Sequence, residues 1–145
     1  MALICALCLP GAALAQANTQ DDARAIRALI GATWDRPDSK VETDPVVISG
    51  QHAVASWTQG KRGGRALLKR DGAHWKVVLC SGDPLTRAVS LVEAGVPGPD
   101  ADVIARRLAD EEARTPADRR AKFSLFEGTV MGDAPAHHHD HSPHP

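Results

Sequence analysis

Five of the chain's seven histidines, His137, His138, His139, His141 and His144, fall within its last nine residues. Asp140, Ser142 and Pro143 interrupt the run, so it reads as native sequence rather than the unbroken block of a purification tag. Neutral imidazole is a good ligand for Cu(II), Zn(II) and Ni(II), and copper binds most tightly of the three. His137 and His141 are four apart and His139 and His141 two apart, so a flexible segment can wrap several imidazoles around one ion. Asp140 adds a carboxylate, and Met131 adds a thioether suited to Cu(I). The bland alternative is a solvated tail whose histidines bind nothing. Histidine density, in a chain that carries an export signal, favours metal. Composition alone fits copper, zinc or nickel.

Cys80, which closes the apolar run WKVVLC, is a second candidate. A lone cysteine at a strand end is most simply a small buried apolar residue. The functional alternative is a Cu(I) thiolate assisted by His52 or His74. His74 lies six residues earlier, hence on the same face of a regular strand but roughly 20 Å away at ~3.3 Å per residue, too far to share an ion. His52 reaches Cys80 only if the sheet brings them together.

The start, MALICALCLPGAALAQA, is uncharged, apolar as far as Leu9, broken at Pro10-Gly11 and closed by Ala15-Gln16-Ala17. That is the pattern of a secretory signal with cleavage after Ala17, although no Lys or Arg precedes the apolar run. It is too short to span a membrane, which takes ~20 apolar residues. The expected organisation is a signal peptide over residues 1–17, one domain over 18–131 and a disordered His-rich tail over 132–145, in the periplasm. Of the three cysteines only Cys80 then remains, so no internal disulfide is available. Lys plus Arg number 17 against 18 Asp plus Glu, a balance that argues against nucleic acid or an anionic membrane as partner. No serine elbow and no nucleophile with an oriented base is present, so no catalytic constellation is read and an enzyme is not expected.

The elements that must carry these residues follow from periodicity. Residues 21–33 place Ile26, Leu29 and Ile30 at helical spacing behind Asp21 and Asp22, and Pro37 then turns the chain in WDRPDS. PVVISG, HAVASWTQG, RALLKR and HWKVVLC read as four strands joined by short turns at Gly50-Gln51, GKRGG and Asp71-Gly72. SGDPLTRAVSLVEAG, PDADVIARRLADEEAR and TPADRRAKFSLFEG read as helices, the last presenting Phe123 and Phe126. The fold expected is α+β: an N-terminal helix, a four-stranded antiparallel meander, and two to three C-terminal helices on one face. Trp34, Trp57 and Trp75 are expected to pack, and QGKRGGR to form a solvated basic hairpin tip of Lys61, Arg62 and Arg65, or a dock for an acidic partner.

TWDRP, HAVASWTQG, GGRALLKR, WKVVLCSGD, AGVP and FSLFEGTVM followed by histidines together resemble the bacterial family of copper uptake system-associated proteins. The resemblance runs from about Ile26 to the tail. It implies copper as the metal, and a periplasmic copper chaperone or outer-membrane receptor as partner, without identifying ligands. A role as an adaptor docking on such a partner, with an incidental tail, is the alternative it leaves open.

Overall fold

The computed structural model describes residues 11–132, with side chains from Asn18 onward. Helix α1 spans Gly11–Trp34. It starts ten residues before Asp21 because AALAQANTQ is rich in good helix formers, and the expected cleavage point after Ala17 falls inside it. Residues 1–10, assigned above to the signal, lie outside the described residues. Trp34 ends the helix where sequence implied: Arg36 and Ser39 exchange backbone hydrogen bonds at 3.0 and 3.2 Å around Pro37, and the Val41 N–H donates to Asp35 Oδ1 at 2.7 Å.

Strands β1 Glu42–Ser49, β2 His52–Gln59, β3 Arg62–Asp71 and β4 His74–Ser81 form the expected antiparallel meander. Two of the turns sit one or two residues away from their expected places. The reversal after β2 is Gly60-Lys61 alone, so Arg62, Gly63 and Gly64 belong to β3; the one after β3 is Gly72-Ala73. Gly60 and Gly72 take φ of 60° and 59° as the first of two loop residues, the position where a type II′ hairpin needs glycine. The sheet also has a fifth strand, β5 Thr129–Met131, which pairs antiparallel with β4 at the edge. Three residues are too few to show alternation, which is why four strands were expected. The open backbone groups of β4 recruit the segment.

Both faces of the sheet are covered. On one, Ile26 and Ile30 of α1 pack on Ala53, Ala55, Ala66, Leu68 and Trp75. On the other, Val47, Val54, Leu67 and Leu79 meet helices α2 Ala88–Glu93 and α3 Gly98–Ala113 through Leu91, Ile104 and Leu108. Small residues on the α1 face of β2 let that helix sit close, and alternation along β2 sorts Ala53 and Ala55 from Val54. Helix α3 has the length its sequence pattern suggested, whereas the helices before and after it are shorter. SGDPLTRAVSLVEAG splits into a 3-10 turn, Asp83–Thr86, and α2, because Arg87 is extended between them. Helix α4, Ala117–Lys122, stops before the phenylalanines; Arg65 Nη1 donates to the Phe123 carbonyl at 3.2 Å, and Phe126 follows outside the helix.

Candidate functional site

Residues His137, His138, His139, Asp140, His141 and His144 lie outside the described residues. The structure fixes where that segment departs. Met131 is the last residue of β5, 56% exposed, and stands opposite Leu79 of β4. Its neighbour Val130 stands opposite Cys80, so Met131 and Cys80 point to opposite faces of the sheet.

His52 and Cys80 are not brought together. His52 begins β2 on the α3 face, opposite Ser49 and Lys69. Cys80 lies on the α1 face, opposite Ala66. They are separated by two strand spacings, three residues along the sheet and its full thickness, about 10 Å in each in-plane direction. His74 and Cys80, expected on one face, also lie on opposite faces. The pairing passes from Leu67↔Leu79 to Leu68↔Val77, so Val78 is an extra residue that inverts the alternation between the two ends of β4. His74 itself is exposed.

His52 is 6% exposed, and its Nδ1 has no hydrogen-bond partner among the described residues. Burial, and then the charge of Lys69, lower its pKa below 6.5, against a smaller opposing pull from Asp100. The folded state therefore holds His52 neutral where the unfolded chain would already take a proton. Its contribution to stability is complete above pH ~6.5 and is lost as pH falls from there through the lower folded value. We expect the stability of the fold to start declining near that pH, without unfolding, and His52→Leu to flatten the stability profile between pH ~6.5 and ~5. Identical profiles for the two proteins would remove His52 as the cause.

Cys80 forms the floor of a cavity of about 280 Å³, walled by Ile30, Val41, Trp57, Phe126 and Val130 and flanked by Trp34, Gln59 and Arg62. Gly64 makes it possible: a Cβ there would lie 2.8 Å from Phe126 Cβ and 3.0 Å from Trp57 Cζ2, whose ring meets that of Phe126 edge-on at 6.0 Å. Burial among these apolar groups raises the thiol pKa from 9.0 to about 11. At pH 8 that cuts the thiolate fraction about a hundredfold, so Cys80 should react with a disulfide reagent about a hundredfold more slowly than an exposed thiol. A rate equal to that of free cysteine would contradict this environment. The same protonation opposes a thiolate role toward a soft metal, and Cys80→Ala should leave Cu(II) binding intact.

Two charged networks escaped the sequence reading. Arg65, expected on a solvated hairpin tip, is 3% exposed. Its Nε and Nη2 donate to Glu112 Oε1 and Oε2 at 2.8 and 2.7 Å, and Ser56 Oγ donates to the same Oε1 at 2.6 Å. Asp83 Oδ1 accepts a further bond from Arg65 Nη1 at 3.3 Å, and the guanidinium lies 5.7 Å from the Phe123 ring centroid. Spacing carried a signal for this. Glu112 continues the buried stripe Ala101, Ile104, Leu108, and Arg65 shares the face of Leu67. On the other side of the sheet, Arg70 stacks 4.5 Å from the Trp75 centroid and pairs with Asp22, which also accepts from Trp75 Nε1 at 3.1 Å. The hydrogen bond from Arg70 is the main reason the Asp22 carboxyl sits below its usual pKa. These networks dock α3 and α1 on the sheet.

Among the described residues no three His, Cys, Asp or Glu side chains converge as a metal site would require, and no helix is long and apolar enough to cross a membrane. Compared with protein-family models, curated proteins and solved structures, the chain matches none.

Proposed function

We propose that this chain is an exported, periplasmic accessory protein that captures, buffers or hands over copper through its His-rich C-terminal segment, the folded residues serving as its carrier. The observation that carries this reading is the histidine density, five in the last nine residues, in the sequence that follows the edge strand β5. Neutral imidazoles from His137, His138, His139, His141 and His144 supply nitrogen ligands for Cu(II), with Asp140 beside them. Met131, exposed at the exit of β5, offers sulfur to Cu(I) without having to lose a proton. Copper is preferred to zinc and nickel by intrinsic affinity and by the family resemblance. The signal-like N-terminus supports export, and no set of groups suggests catalysis. The experiment is a metal titration of the full chain and of a chain ending at Gly132. If both take up copper alike, the metal is held by the folded residues; if neither takes it up, the tail is incidental and the adaptor reading, docking on a periplasmic chaperone or receptor, takes its place.

A further inference from the structure

We propose that the cavity between α1 and the sheet binds a small single-chain amphiphile whose apolar body lies on Trp57, Phe126 and Cys80 and whose anionic head meets Arg62. The walls are almost wholly apolar, so water inside would lack the two to four hydrogen bonds that hold a buried water. At about 280 Å³ the space falls just below the ~300–1,000 Å³ that holds drug-sized ligands, which suits one short chain and excludes a two-tailed lipid.

The mouth carries a positioned cation. Gln59 is 7% exposed, and its Nε2 donates to the Trp34 and Ser39 carbonyls at 2.8 and 2.9 Å. That fixes the amide so that Oε1 accepts from Arg62 Nη2 at 3.1 Å and holds the guanidinium at the cavity. None of the ion pairs among the described residues includes Arg62. An apolar body beside an unneutralised guanidinium matches a carboxylate amphiphile and disfavours a cationic one. The apolar rim residues Trp34 and Val130, 39% and 52% exposed, would be covered by the ligand. This inference is independent of the copper reading.

The test uses the full chain, ¹⁵N-labelled at its three tryptophan indoles, titrated with octanoate below its micelle concentration. Trp34 and Trp57 should shift and saturate. Trp75, on the same face but outside the cavity with its N–H on Asp22, should not move. Octanol and octyltrimethylammonium should bind about tenfold more weakly, and Arg62→Gln should bring octanoate down to the level of octanol. Val130→Trp, at an exposed strand position, should close the mouth and remove all binding. Absence of a saturable shift would overturn the proposal, as would equal movement of all three indoles or undiminished octanoate binding by Arg62→Gln. The indole map of the unaltered chain stands whether or not either variant folds.

Discussion

Glu112→Gln should lower the stability of the domain by about 3–5 kcal/mol, the loss typical when one partner of a buried ion pair is removed. The amide keeps the volume of the carboxylate but leaves the Arg65 charge, 3% exposed, without its bidentate counter-ion. Asp83 cannot compensate, because its bond to Arg65 is longer, 3.3 Å, and its side chain is 68% exposed. A domain of this size has about 5–15 kcal/mol in all, so the change consumes a large part of the margin. The control is next door: Glu111 pairs with Arg114 on the surface, and Glu111→Gln should cost well under ~1 kcal/mol. Replacing both buried partners, as in Arg65→Met with Glu112→Leu, should recover much of the loss because no bare charge remains. Urea unfolding of the four proteins checks this. Equal midpoints for the two single Glu variants would show that the buried pair contributes nothing.

Acidification should abolish Cu(II) capture while the fold persists. A ligand nitrogen must be unprotonated, and with an ordinary histidine pKa of ~6.5 each coordinating imidazole loses about thirtyfold in availability at pH 5. Three imidazoles on one ion multiply this to a loss on the order of 10⁴ in apparent affinity. Cu(I) held through the Met131 thioether should lose far less, since thioether sulfur has no proton to give up. Titrations at pH 7.5 and pH 5 in each oxidation state distinguish the cases. Cu(II) affinity unchanged between the two pH values would exclude the histidines. Partial loss of folding at pH 5 through His52 is checked separately, by circular dichroism on the same samples.

Much of the architecture was legible because it is written in local patterns. The hairpin glycines, Pro37 after Trp34, and the alternation of Ala53, Val54 and Ala55 place four strands and the first turn. What escaped is non-local. β5 exists because β4 offers it a partner, and no pattern in three residues announces that. The Val78 bulge inverts half of β4, so counting by twos from His74 to Cys80 put both on one face. Arg65 looked solvated because it follows two glycines beside Lys61 and Arg62, yet Gly63 and Gly64 are inside the strand, where a Cβ would strike Lys122 O at 2.6 Å or Phe126. Charge type outweighed position in that judgement. The helical stripe through Leu108 placed Glu112 inside, and the Arg65 fork together with the Ser56 hydroxyl makes that burial tolerable. The cavity over Cys80 could not be read at all, because its lining comes from α1, Val41 before β1, four strands and the stretch after α4.

The most direct measurement of the central claim is native mass spectrometry of the full chain with Cu(II) at pH 7.5, set beside the same chain ending at Gly132. The truncated protein should keep its melting temperature within a few degrees, since residues 133–145 offer no large apolar side chain to a core. The full chain should take up Cu(II) and the truncated chain none. Equal copper stoichiometry in the two proteins would place the metal on the folded domain and contradict the account.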